Sequence, residues 1–174
     1  MINIEGEPRG FMIDLDLAKV IGSEGSGAMH RTGTMEFMAI EVLRRSEPHS
    51  YRHDLESFLY VLIWICVIYE STGDPHYILD HQNKKCSPQV LEGWSRADAA
   101  RVKYAQMYEE FSFQEILDEF SDGFRELESM IREIRQVLFQ SQWERGFAGS
   151  EEEQGQLGGK FLKAIQRQLK KMPN

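Results

Sequence analysis

The stretch Phe58–Tyr69 (FLYVLIWICVIY) is apolar at every helical position. A helix with no polar face has to be enclosed by the rest of the chain, so everything else in this protein is constrained to pack around it. Its Val and Ile content would also suit a strand, but strands usually stop at four to eight residues, and the periodic segment extends back to Tyr51. The expectation is a central helix over Tyr51–Glu70 with Asp54 capping its first turn, stopped by the turn chemistry of Ser71–Pro75 (STGDP). The run is too short to cross a bilayer, which needs roughly 20 apolar residues, so no transmembrane segment is expected.

Around this element the rest reads as mainly α. Residues 1–9 are polar with Gly6 and Pro8, a turn before the short apolar strand Phe11–Ile13. Ser23–Gly27 (SEGSG) reads as a flexible loop, and Met35–Arg45 can start a helix that ends before Pro48. Trp94–Glu110 opens with Ser95 and Asp98 in a capping-box pattern. Ser121–Gln140 places Phe124, Leu127, Ile131, Ile134 and Leu138 at spacings of three and four. The glycine- and glutamate-rich segment 141–159 reads as a linker, and 160–174 as a short basic amphipathic helix or tail. That last helix could touch an acidic membrane or a partner groove, or fold back on its own acidic domain.

The balance of 20 basic against 28 acidic residues, net −8 over 174 residues, argues against general nucleic-acid binding, which needs a concentrated basic face. Cys66 and Cys86 form no disulfide framework, and Cys66 within the apolar run reads as a core residue. His76, His81 and Cys86 recur every five residues, a spacing that fits neither common structural zinc pattern. No charged-then-apolar leader opens the chain, so an intracellular location is expected.

Three further motifs stand in order. Met12-Ile13-Asp14-Leu15-Asp16 ends an apolar strand in a carboxylate; Arg31-Thr32-Gly33-Thr34 is followed by Phe37-Met38-Ala39-Ile40-Glu41; Tyr51-Arg52-His53-Asp54-Leu55-Glu56-Ser57 opens the central helix. In this wording and order the chain resembles the fungal-type protein kinase family, specifically over Gly10–Tyr69 and more loosely to about Gln140. The resemblance implies a partial protein kinase-like C-terminal lobe over 1–140, with a short β-strand or hairpin at the N-terminus and a helical bundle around a buried central helix. It also implies a family activity, transfer of the ATP γ-phosphate to protein serine or threonine, with Mg²⁺ and ATP as cofactors.

By the same resemblance, Asp14 is the metal- and cofactor-binding carboxylate, with Leu15 and Asp16 in place of the usual phenylalanine and glycine. Thr32, Gly33 and Thr34 belong to the activation segment, and the Thr34 hydroxyl would bond the catalytic aspartate. Ala39 and Glu41 belong to an Ala-Pro-Glu motif in which Ile40 replaces the proline. Glu41 would be buried in an ion pair with an arginine of a later helix, Arg125 or Arg132. Asp54 would brace the catalytic-loop backbone. Ser23, Ser26 and Thr32 are possible phosphorylation sites.

The general base and second metal ligand of the family lie upstream of an Asp14-type motif, so no catalytic base is expected within these residues. The 174 residues then read as a fragment that is not catalytic in isolation, or as a non-catalytic interaction module acting as pseudokinases do. Its partner is a protein substrate or binding partner. The central helix would lack part of its packing, leaving apolar surface through which the chain can self-associate.

Overall fold

A computed structural model describes residues 3–4, 7–8, 34–45, 49–80, 82–139 and 151–171. The chain divides into two compact units, Met1–Thr32 and Gly33–Asn174. In the first, strand β1 (Asn3–Ile4) pairs antiparallel with β2 (Glu7–Pro8). This hairpin lies ahead of the expected strand Phe11–Ile13, which falls outside the described residues.

The second unit is mainly helical. A 3-10 turn (Met35–Phe37) leads into α1 (Ile40–Arg44), which ends at Arg45 in left-handed geometry, φ 55°. The expected single helix over 35–45 is thus split: Met38 and Ala39 are extended, which brings the two pieces to different neighbours. Helix α2 (Tyr51–Ile68) is the central helix, and it ends two residues short of the expected Glu70. A small antiparallel pair, β3 (Ile78–Leu79) with β4 (Lys85–Cys86), follows it. Then come a 3-10 turn (Glu92–Ser95), α3 (Ala99–Tyr108), α4 (Glu110–Asp118), a 3-10 stretch (Asp122–Leu127), α5 (Glu128–Phe139) and α6 (Glu151–Leu169).

Two cap assignments differ from expectation. Asp54 does not cap α2; Ser50 is the N-cap, and its backbone N–H donates to His53 Nδ1 at 3.0 Å. Asp54 sits one turn in, its half-exposed carboxylate 3.3 Å from His49 Nε2. The capping box at Ser95 and Asp98 does not form either. Ser95 closes a 3-10 turn, α3 starts after Asp98, and that carboxylate accepts from Arg101 instead, which holds it below its usual pKa.

One face of α2 carries the core: Leu59, Tyr60, Ile63, Cys66 and Val67 are fully buried against α4, α5 and α6. The Cys66 thiol is pushed up to about 12 by burial alone, so it is a small apolar filler and no nucleophile. The opposite face is not covered. Phe58 is 62% exposed, Ile65 39% and Tyr69 40%, with Leu62 half-buried between them. These positions follow one another at steps of four, three and four, so they form a continuous apolar stripe.

The basic C-terminal helix begins at Glu151, nine residues before the expected Lys160 and inside the segment read as linker. It folds back onto α5 and α2 through Leu157, Phe161 and Ala164. Packing explains how a glycine-rich stretch becomes helical. A side chain at Gly158 would run into the Tyr51 hydroxyl, so glycine there permits close approach to α2. Gly155 and Gly159, by contrast, have nothing within 4 Å of where a Cβ would stand. Gly155→Ala and Gly159→Ala should each stabilise the protein by about 0.5–1 kcal/mol in urea titration, whereas Gly158→Ala should show no such gain.

A candidate functional site around Glu41, Arg52 and Glu56

Helix α1 is tied to the head of α2 by charge. Glu41 Oε2 lies 2.8 Å from His53 Nε2 and 3.2 Å from Arg52 Nη1. With His53 Nδ1 accepting from the Ser50 backbone, the ring proton is on Nε2 and is donated to Glu41. Arg52 and His53 are almost wholly buried, while the Glu41 side chain keeps 32% of its surface. Arg52 also donates to the Leu138 carbonyl at 3.3 Å, so one guanidinium joins α1, α2 and α5.

Below this lies Glu56, fully buried. Its Oε1 accepts from the Ile40 backbone N–H at 2.8 Å and from the Tyr60 hydroxyl at 2.7 Å. Its Oε2 has no hydrogen bond and sits 3.3 Å from Arg52 Nη1, one turn away. Burial, then the Glu56 carboxylate, push the Tyr60 hydroxyl well above its ordinary pKa, so it stays a donor. The position where the family pattern has proline therefore has a job that proline cannot do. Residue 40 must supply an N–H to a buried carboxylate.

The backbone itself would accept proline. Residue 40 is the first of its helix, and Ala39 before it is extended, φ −61° and ψ 151°. Ile40→Pro should cost about 2 kcal/mol for the lost charge-assisted hydrogen bond, beside the packing lost with the buried Ile40 side chain. In a Glu56→Gln background the loss should be smaller, because a neutral amide accepts the Ile40 N–H more weakly; an equal loss in both backgrounds would remove Glu56 from the explanation.

The segment before α1 is held from the other side by Lys103 of α3. This lysine is fully buried, and its Nζ donates to the carbonyls of Met35 at 3.2 Å and Met38 at 2.8 Å. Nζ also stands 4.1 Å from the centre of the Tyr60 ring and 5.1 Å from that of Trp94. Burial depresses its pKa to about 7, against the pull of Glu56 and Glu36 in the other direction. Between α1, α2, α3 and α5 opens a cleft of about 320 Å³, with Glu41, Arg44, Arg52, Tyr104, Tyr108 and Phe139 on its walls. Arg44 stacks over the Tyr104 ring at 4.6 Å. Two arginines and two glutamates balance here, so the cleft is polar without net charge.

Of the residues singled out from the motifs, Ala39 is buried, and Thr34 is exposed at the start of the 3-10 turn with no capping bond from its hydroxyl. Asp14, Thr32, Gly33, Ser23 and Ser26 lie outside the described residues. The arginine expected to pair with Glu41 is neither Arg125 nor Arg132. Arg125 donates to the carbonyls of Leu117 and Asp118, both at 2.9 Å, closing the C-terminus of α4. Arg132 and Arg135 both hold Glu110, at 2.6 and 2.5 Å, which keeps that carboxyl below its usual range. Arg52 reaches Glu41 because α2 starts directly opposite α1. Among the described residues, no group of three or more His, Cys, Asp or Glu could hold a metal ion. Also among the described residues, no helix is long and apolar enough to cross a membrane.

Sequence reasoning passed over Arg52, His53, Glu56 and Lys103. For Arg52 and Glu56 there was a signal: a glutamate one turn after an arginine, entering an apolar run, asks for a partner. For His53, and for Lys103 between Val102 and Tyr104, there was none. No curated protein and no solved structure matches this chain. The tie between α1 and α2, from Glu41 to Glu56, lies within residues 1–66, the span over which the chain matches the family model for the fungal protein kinase.

Proposed function

We propose that these 174 residues supply the lower-lobe portion of a fungal-type protein kinase catalytic domain. Asp14 serves there as the Mg²⁺–ATP ligand, and 32–41 forms the substrate-side part of the activation segment. The observation that carries this reading is the double clamp on residues 35–41. Glu41 is gripped by Arg52 and His53, and the Met35 and Met38 carbonyls by Lys103. Phosphoryl transfer is mostly positioning and charge stabilisation, so a substrate-side segment has to be anchored to a rigid helix. The half-exposed Asp54 carboxylate at the head of α2, 3.3 Å from His49 Nε2, stands where it can brace a loop brought by further polypeptide. The general base comes from that polypeptide.

Radiolabelled phosphate transfer tests this, with the chain alone and with the nucleotide-binding half of a fungal-type kinase added. Transfer should require the added half and disappear with Asp14→Ala. Turnover by the chain alone that also dies with Asp14→Ala would overturn the division of labour.

The uncovered stripe on α2 favours a second reading, a non-catalytic interaction module. In sedimentation velocity the chain should associate with rising concentration, and Phe58→Gln with Ile65→Gln should return it to monomer. Concentration-independent monomer from the unsubstituted chain would leave the stripe without a role in association.

A further inference from the structure

We propose that the outward face of α6 docks on an anionic lipid surface. The helix packs inward through Leu157, Phe161, Ala164 and Gln168. Outward it presents Leu162 and Leu169, 56% and 61% exposed and two turns apart, beside exposed Lys163 and Lys170. Lys160 and Lys171 are also exposed, farther round the helix on the lysine side. None of the four lysines makes an ion pair among the described residues; the one basic side chain of this stretch that does is Arg167, with Glu133 at 2.8 Å.

The sequence from Gln154 to Lys171 contains no acidic residue. Its helical part, Gln154 to Leu169, runs about 24 Å at 1.5 Å per residue, and the whole stretch carries only positive charge. The net charge of −8 for the whole chain does not oppose this. At physiological ionic strength charges farther than about 8 Å are largely screened, so only the apposed face counts.

A flat array of phosphates suits this face better than an acidic protein does. The two leucines stand out from the helix with the lysines to one side of them, the place of residues entering the headgroup boundary beside ammonium groups. The occupant of this surface is independent of any catalytic role.

Vesicle flotation with the full chain tests the proposal, comparing phosphatidylcholine alone with the same lipid containing one third phosphatidylserine. Binding should need phosphatidylserine and should fall away in 0.5 M salt. Lys163→Gln with Lys170→Gln should weaken it about 30-fold, roughly fivefold per lysine. Leu162→Ser with Leu169→Ser should weaken it as well. All four side chains are exposed, so melting temperature and far-UV dichroism serve as the folding control. Phe58→Gln with Ile65→Gln should leave binding intact. Loss of binding in that variant would assign it to α2 and overturn the proposal. So would binding that survives either α6 pair, absence of binding to phosphatidylserine, or capture of soluble polyglutamate with no capture of vesicles.

Discussion

Arg52→Met should lower the unfolding free energy by about 3–5 kcal/mol, the cost of leaving a buried charge uncompensated. Arg52 is the only cation within 4 Å of Glu56 among the described residues, and Glu56 has no exposure through which water could take over. Methionine fills much of the arginine volume, so the loss is electrostatic and not a cavity effect. Truncation also frees the Leu138 carbonyl and takes one partner from Glu41. Glu41, half-exposed and still bonded to His53, tolerates this; Glu56 does not. Adding Glu56→Gln should therefore recover at least half of the loss. A neutral amide still accepts the Ile40 N–H and needs no counter-charge. Urea denaturation of the two single variants and the double variant measures the coupling. A loss under about 1 kcal/mol, or none of it recovered in the double variant, would mean the pair is not what joins α1 to α2.

The same residues show how far the sequence reaches. The central helix was legible because twelve consecutive apolar positions leave few alternatives, and Ile131, Ile134 and Leu138 of α5 were legible by period. The motif order Asp14, Thr34, Glu41, Asp54 was legible as family wording, and all four positions lie within the matched span 1–66. Partners were not. Glu41 could face any arginine until the register between α1 and α2 was known, and nothing local distinguishes Arg52 from Arg125 or Arg132. The extent of α6 was hidden for a different reason. Glycine at 155, 158 and 159 opposes helix locally, and tertiary contact with α2 outweighs it. Lys103 is hidden most thoroughly, since a lysine gives no hint of burial until the aromatic walls around it are built.

Lys103→Met should change how stability depends on pH. In the folded chain the Lys103 ammonium gives up its proton at about 7, whereas the unfolded value is 10.5. Between those values the unfolded state binds more protons, so stability rises with pH across the interval. Below the folded value the buried ammonium carries its full desolvation cost; above 10.5 the penalty is gone. Met35 and Met38 carbonyls accept from the neutral amine as well, so the clasp on residues 35–38 survives deprotonation. The groups facing the amine are Glu56 and Glu36, which favour its charge, and the neutral ring of Tyr60. Tyr60 titrates far above this window, and histidines common to both proteins cancel in the difference. From pH 6 to pH 9 the unsubstituted chain should therefore gain about 3 kcal/mol over Lys103→Met, at 1.36 kcal/mol per pH unit once above pH 7. At pH 9 the unsubstituted chain still carries a cost of about 2 kcal/mol for holding the amine neutral about 1.5 pH units below its unfolded value. That offsets the two hydrogen bonds of about 1 kcal/mol each that the variant has lost, so the two should lie near parity. By pH 6 the variant should be the more stable, because methionine carries no charge to bury. Parallel stability curves over this range would place the Lys103 ammonium in contact with solvent and remove the clasp's pH dependence.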